Sequence, residues 1–329
     1  MLLGRSKCCC DPLAIVLIWG ISYNGKLMSP AKRVFLILAL TAMWSPSFLF
    51  IKLVVDELQP FSIVTLRVSI ATLILGGILA FKKQALPKDP WFWFHSAIMA
   101  LFASVMPFVL FCYAEQTIES ALAAILNGCS PMFTAILAHL FIPSDRLKPQ
   151  KVVGIGLGAG GLTALFAPNI AQGLSGSTLG IMAGAAAAFC YAVSHVYAKK
   201  YVTGQPPFVS PTAQLLCSSL MMLPFMFMFE DPSQIANLSL TAWGGIMGLC
   251  LLGTVTAFII YYKLLEHCGP TAISMVACFF PVGGMLLGFA FLGETLSWAA
   301  LGASSLILLG LMIVNELIPL FPTPAQEKA

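Results

Sequence analysis

Charge is what this sequence has least of. Asp, Glu, Lys and Arg make up 9% of its 329 residues, whereas a water-soluble globular domain carries about 25%. So little charge cannot clothe a surface that faces water on all sides. The net charge of +4 provides no basic face of the kind nucleic acid requires, so no nucleic-acid partner is expected. Paired CxxC and Cys/His metal spacings are missing, and most of the ten cysteines, including Cys112, Cys129, Cys190, Cys217, Cys250 and Cys278, fall inside apolar runs. There a cysteine reads as a small buried hydrophobe. No GxxxxGK[ST] occurs, which argues against ATP coupling within the chain. The four histidines are scattered, where a membrane-embedded enzyme acting on lipid would cluster its His, Asp or Glu at one interface. No cofactor and no metal are expected.

What is present is apolar length. Hydrophobic residues are 59% of the chain, and the mean hydropathy is +0.93. A helix needs about 20 apolar residues to cross the hydrocarbon core. Ten stretches qualify, at roughly 33–55, 61–81, 92–113, 121–142, 151–168, 178–199, 208–229, 242–263, 270–292 and 297–316. The expected fold class is an all-α polytopic membrane protein of ten transmembrane helices.

One set of connecting loops lacks Lys and Arg altogether and carries Asp56, Glu57, Glu119, Glu230, Asp231 and Glu294. The other set holds Lys32 and Arg33, Lys82, Lys83 and Lys88, Arg146, Lys148 and Lys151, Lys199 and Lys200, and Lys263. Basic residues accumulate on the cytoplasmic side, so both termini are expected in the cytoplasm of a plasma (inner) membrane. The apolar piece Leu13–Ile21 is too short to span. Residues 1–30 read as a cytoplasmic or interfacial tail, with a start at Met28 and a signal peptide as alternatives and Cys8–Cys10 as an acylation candidate. Residues 317–329 read as a cytoplasmic tail.

The chain also repeats itself. A shift of 147 residues lays Trp44 on Tyr191, Ser47 on Ser194, Lys52 on Lys199, Pro60-Phe61 on Pro207-Phe208 and Thr65 on Thr212. A shift of about 150 lays Pro131 on Pro281, and one near 149 lays Gly161 on Gly310. Each copy, 31–168 and 178–316, holds five spans. An odd number obliges the second copy to enter the membrane inverted. Inverted repeats are a recurrent transporter design, with the substrate site near the midplane between the halves.

These features resemble the EamA-type transporters of the drug/metabolite transporter superfamily. The resemblance is carried by W-x-x-S-x-x-x-x-K from Trp44 to Lys52 and P-F-x-x-x-x-x-R from Pro60 to Arg67. Pro281, Gly293-Glu294-Thr295-Leu296, Gly302 and Gly310 close the pattern. The chain departs from it at Pro143-Ser144-Asp145, where such repeats carry Gly-Glu, and at Gln214, the repeat counterpart of Arg67. The resemblance implies alternating-access secondary transport of small metabolites, often amino acids or their relatives, and frequently export. The partners are then a small-molecule metabolite and the lipid bilayer, with a proton or a counter-substrate as coupling partner. An exchanger of a nucleotide-like or sulfonium metabolite is the alternative within the class. A membrane-embedded enzyme or a channel is the alternative outside it.

Polar groups inside spans are the site candidates, because each is costly unless it faces protein or water. Arg67 lies about 10 Å inside its span at 1.5 Å per residue. It reads as the partner of an acidic group or substrate carboxylate facing a central cavity, as a structural ion pair with Asp56, Glu57 or Glu115, or as a residue snorkelling to the outer surface. Trp44, Ser47, Phe48 and Ile51 share one helix face, and Tyr191, Ser194, His195 and Ala198 share the matching one. The two faces are expected to meet, as a binding surface or as plain packing. Asn127 is a further candidate, because an unpaired amide in a span is costly. Lys52 ends the first span on the side whose loops lack positive charge. It is expected either to form a basic pair with Arg67 at the outer mouth or to pair with Asp56 at i+4. Tyr113, Tyr261 and Tyr262 read as interface anchors. The run Gly154–Gly161 formally contains GxGxxG but lacks the preceding strand and following acid of a dinucleotide site. Gly154/Gly158 and Gly156/Gly160 read instead as helix-packing pairs.

Overall fold

A computed structural model describes residues 30–143, 147–171, 176–202, 208–295, 297–318 and 320. The expectations for residues 1–29 and for Ser144-Asp145 lie outside the described residues. Every regular element among the described residues is helical. The α-helices are α1 (Pro30–Trp44), α2 (Pro46–Lys52), α3 (Pro60–Phe81), α4 (Pro90–Ala100), α5 (Met106–Glu115), α6 (Ser120–Asn127) and α7 (Ser130–Phe141). They continue with α8 (Pro149–Ala171), α9 (Gly176–Tyr201), α10 (Val209–Phe229), α11 (Leu240–Cys250), α12 (Ala257–Leu287) and α13 (Trp298–Val314). Three π-helical turns interrupt the series: π1 (Leu101–Val105), π2 (Leu251–Thr256) and π3 (Gly288–Leu292).

Seven helices among the described residues are long and apolar enough to cross a membrane, and the apolar helices Phe279–Leu292 and Trp298–Val314 are shorter. Proline opens many of the helices, as at Pro46, Pro60 and Pro90. Its missing N–H costs nothing in the first turn and its φ is already helical. The α4 start is further capped by Asp89, which accepts from the Trp91 amide at 3.1 Å. Serine does the same for α11 and α13, Ser239 from Ala242 N and Ser297 from Ala300 N. Gly293 stops π3 with φ +64°, a left-handed conformation that glycine adopts without a Cβ clash.

The long helix α12 does not run straight. The Trp44 ring lies 5.8 Å from that of Tyr261 and 6.2 Å from that of Phe280. A straight helix would hold those two positions about 28 Å apart at 1.5 Å per residue. The parts of α12 up to Leu264 and from Val276 onward therefore do not lie on one straight axis, and both face α1. The two arms and α1 share one apolar cluster of Leu36, Ile37, Leu40, Ala257, Tyr261, Tyr262, Leu264 and Val276.

Close helix pairs are set by small residues. A Cβ on Gly154 would stand 2.7 Å from the Gly310 carbonyl, and one on Gly161 would stand 2.6 Å from the Ala303 carbonyl. This brings α8 and α13 backbone to backbone. Gly156 and Gly160 have nothing within 4 Å of an added Cβ. The expected Gly156/Gly160 packing pair is thus not formed, because both lie on the opposite, open face of α8. Across the bundle α3 meets α10, where Thr72 Oγ1 and Ser219 Oγ, 147 residues apart, lie at 3.0 Å.

Candidate functional site

Helices α1 to α7, π1, α9, α10 and α12 converge on a cavity of about 100 Å³. Seven of the eight substrate-contact candidates, all but Lys52, line it together: Trp44, Ser47, Arg67, Asn127, Tyr191, Ser194 and His195, with Phe48 and Ile51 of the same α2 face beside them. The two serine-aromatic helix faces thus meet across one space. Aromatic rings form much of the wall. Phe48 packs edge-on against Phe111 at 5.1 Å and Phe280 at 5.4 Å, and Tyr191 lies 6.3 Å from Phe111. The Tyr191 and His195 rings stack at 6.5 Å.

Arg67 is 4% exposed. Its Nε donates to Thr254 Oγ1 at 2.8 Å and its Nη2 to the Gly253 carbonyl at 3.2 Å. Both acceptors belong to π2. A π turn shifts the backbone bonding by one residue and so leaves a carbonyl without its usual helical partner. The guanidinium carbon also sits 3.7 Å from the centroid of the Phe108 ring, worth about 2 kcal/mol when desolvated. The expected carboxylate partners are not there. The ion pair Lys148–Glu316, at 2.9 Å, lies elsewhere, and the hydrogen bonds of the Arg67 guanidinium go to a hydroxyl and a carbonyl. Arg67 is therefore a buried cation held by neutral groups beside a cavity.

Gln214 mirrors it on α10. Its Nε2 donates to Ser104 Oγ in π1 at 2.8 Å, and its Oε1 accepts from the Tyr262 hydroxyl at 2.7 Å. Gln214 and Tyr262 line both the main cavity and a second one of about 20 Å³, which also touches His95, Ser96, Tyr201 and Ser210. The second cavity points toward the ends of α9 and α10 that adjoin Lys199 and Lys200.

Several polar atoms at the cavity lack protein partners. Ser47 Oγ and Asn127 Oδ1 are buried without a hydrogen bond, and each such group costs about 1–3 kcal/mol. Ser194 differs, because its hydroxyl donates to the Tyr191 carbonyl of its own helix at 2.8 Å.

Lys52 is not in the cavity. Its Nζ donates to the carbonyls of Glu115 at 2.7 Å and Ile118 at 3.4 Å. It neutralises the C-terminal end of α5, where unpaired carbonyls gather, and makes neither the Arg67 pair nor the Asp56 pair. Tyr261 and Tyr262 also depart from expectation. They are 8% and 4% exposed and line the cavity, whereas Tyr113, 41% exposed, keeps a surface position. Gln214, Tyr261, Tyr262, Phe111 and Phe280 complete the site, although the sequence reading made none of them a substrate contact. Its repeat offsets contain a signal for two of them, since 147 carries Arg67 to Gln214 and 150 carries Phe111 to Tyr261.

The acidic loops close the opposite end of the bundle by capping helices. Glu230 accepts from the amides of Phe61 at 2.8 Å and Ser62 at 2.6 Å. Glu294 accepts from Ser120 N, Ser120 Oγ and Ala121 N at 2.8–2.9 Å. Glu57 accepts from Ser239 N at 2.8 Å and Ser239 Oγ at 2.6 Å. A carboxylate at a helix N-terminus satisfies orphan amides and opposes the positive end of the dipole. The Ser239 hydroxyl, and then its amide, hold the Glu57 carboxyl below its usual range. No group of three or more His, Cys, Asp or Glu that could hold a metal occurs among the described residues.

Comparison with known proteins places these features. The chain is 26% identical over 300 residues to the uncharacterized inner membrane transporter YedA of Escherichia coli K12, covering 87% of this chain and 92% of YedA. It is 24% identical over 286 residues to the probable amino-acid metabolite efflux pump of Salmonella typhimurium, covering 85% and 93%. A solved crystal structure superposes with a TM-score of 0.63 at 20% identity, over 87% of this chain and 98% of its own, a likeness of fold. The model of the EamA-like transporter family matches residues 31–167 and again 178–316. The chain belongs to the EamA-like transporter family, and its relatives are named as transporters.

Proposed function

We propose that this chain is a secondary transporter that moves small organic metabolites bearing a carboxylate, amino acids or their relatives, in the export direction. It works by alternating access between two inverted five-helix repeats, 31–168 and 178–316, in the plasma (inner) membrane with both termini cytoplasmic. The observation that carries the substrate class is Arg67, a buried cation with no carboxylate partner among the described residues, on the wall of an aromatic cavity. A guanidinium presents paired donors that match a carboxylate, and the rings of Trp44, Tyr191 and Tyr261 suit the apolar part of such a molecule. Ser47, Asn127, Ser194 and His195 are the further substrate contacts of this reading. The name of the Salmonella relative agrees with it.

Paired contacts support the two-repeat reading. Arg67–Thr254 and Gln214–Ser104 are related by the offsets 147 and 150. So are Trp44–Tyr261 and Tyr191–Phe111. Thr72 and Ser219 meet their own counterparts. A contact set that maps onto itself in this way is what two copies around a two-fold axis would produce, and alternation then follows from exchanging the copies' conformations.

Purified protein in liposomes preloaded with a mixture of amino acids tests the function. Saturable uptake of a labelled member of the mixture, driven by unlabelled solute inside, is expected. Flux that rises linearly with concentration, or none for any amino acid, would contradict the proposal.

A further inference from the structure

Glu115 ends α5 and has no exposed surface. Neither of its carboxyl oxygens has a hydrogen-bond partner. Lys52, the cation that reaches it from α2, bonds the backbone carbonyls of Glu115 and Ile118 instead of the carboxyl. The other charged groups around this turn do not help an anion. Glu294 approaches from beyond π3 with its oxygens taken by Ser120 and Ala121, and Glu119 lies in the connection to α6. Both are acids. Arg67 on α3 turns its guanidinium to π2, and α9 meets the 114–118 turn with Gly180, which cannot ionise.

Three effects act together on the carboxyl. Burying an unpaired carboxylate costs several kcal/mol. Its place at the C-terminal end of its own helix sets it against the negative end of the dipole. The nearest acids would repel its charge. A carboxyl in that position takes up a proton rather than stay charged. The same turn is where Lys52 fastens α2 to the end of α5.

We propose that Glu115 is a proton-binding site, loaded while the Lys52 contact is closed and emptied to water when α2 parts from the α5–α6 turn. The step is a simple dissociation: the carboxyl O–H breaks, the proton passes to water, and the entering water solvates the carboxylate left behind. The coupling of this step to solute movement rests on the transport reading above; the protonation itself does not.

The two parts are tested separately. Infrared titration of the full chain in lipid, with exchange into D2O as the marker, is expected to show a protonated-carboxyl band at neutral pH that is lost in Glu115→Gln. Glutamine matches the neutral carboxyl in shape, so the variant is expected to fold. Should it fail to purify, Glu115→Asp gives the same answer by a shift of the band. An identical spectrum in wild type and variant would overturn the site. In liposomes holding a pH-sensitive dye, adding the amino-acid mixture is expected to move protons with wild-type protein and none with Glu115→Gln, while solute counterflow persists in both. Equal proton movement in both proteins, or solute counterflow without proton movement in wild type, would overturn the coupling. Absence of counterflow in wild type refutes the transport reading and with it the coupling, and leaves the site to be decided by the infrared band.

Discussion

Arg67 and Gln214, 147 residues apart, each donate a 2.8 Å hydrogen bond to a hydroxyl on a π turn: Arg67 to Thr254 in π2, Gln214 to Ser104 in π1. The arrangement is matched in geometry and unmatched in charge. One wall of the cavity carries a guanidinium and the other a neutral amide. Any anionic solute there is therefore drawn to the Arg67 side.

The Thr254 hydroxyl is part of that positioning, since it accepts from Arg67 Nε and donates to the Leu249 carbonyl at 2.8 Å. Thr254→Val keeps the shape and removes both bonds. A hydrogen bond to a charged group contributes about 1.5–3 kcal/mol, so a clear drop in the thermal unfolding midpoint is expected, with recovery in Thr254→Ser. An unchanged midpoint in the valine variant would show that the guanidinium does not depend on π2.

Tyr262 closes the partition between the two cavities through its bond to Gln214 Oε1. Tyr262→Phe removes one neutral hydrogen bond, with an expected stability loss of about 1 kcal/mol. A newly introduced cysteine at Ser194, in a background without native cysteines, is expected to react faster with a membrane-impermeant thiol reagent once Tyr262 is replaced. Unchanged labelling would mean that the partition lies elsewhere.

The glycines of α8 provide a two-faced comparison. Gly154→Ala pushes a methyl into the Gly310 carbonyl, and Gly310→Ala pushes one into Gly154 and Gly158. Both are expected to lower stability by about 1–3 kcal/mol, the range for overpacking. Gly156→Ala and Gly160→Ala meet open space and are expected to be neutral or stabilising by up to about 1 kcal/mol through helix propensity. Thermal unfolding of the four variants in one detergent decides this, and equal losses on both faces would contradict the packing.

The Glu57 cap of α11 has a definite pH dependence. Its folded-state carboxyl titrates below the usual value because Ser239 bonds the charged form. Its contribution is thus fully present above the ordinary carboxylate range and is lost as pH falls through the lowered value. The protection factors of the α11 amides, exchange rates taken relative to the intrinsic rate at each pH, are expected to fall in acid in the wild type and to show no such step in Glu57→Gln. A step of the same size in the glutamine variant would assign it to another group.

Much of the site was legible because helices repeat and this chain does so twice. Helical spacing put Trp44 and Ser47 on one face, the 147-residue offset named Tyr191 and Ser194 as their counterparts, and all four line the cavity. The reading stopped where tertiary contact or an irregular turn decides. Lys52 bonds carbonyls more than sixty residues away, while its nearest acid in sequence, Asp56, suggested a local pair. Tyr261 and Tyr262 look like interface residues at the end of a span. However, π2 inserts an extra residue per turn before them and rotates the following face, and contacts with Trp44 and Gln214 hold them inside. The acidic loops suggested sidedness alone, yet Glu57, Glu230 and Glu294 each cap a helix that begins in a distant part of the chain.

The central claim is that Arg67 receives a substrate carboxylate in the cavity, and it is tested most directly by affinity. An amino acid transported by the protein and its carboxamide analogue would be measured for binding to wild type and to Arg67→Gln. A charge-assisted bond of about 1.5–3 kcal/mol, at 1.4 kcal/mol per tenfold, predicts that the acid binds the variant roughly ten- to a hundredfold more weakly, while the carboxamide binds both proteins alike. Equal affinity of the acid for both proteins would contradict the account.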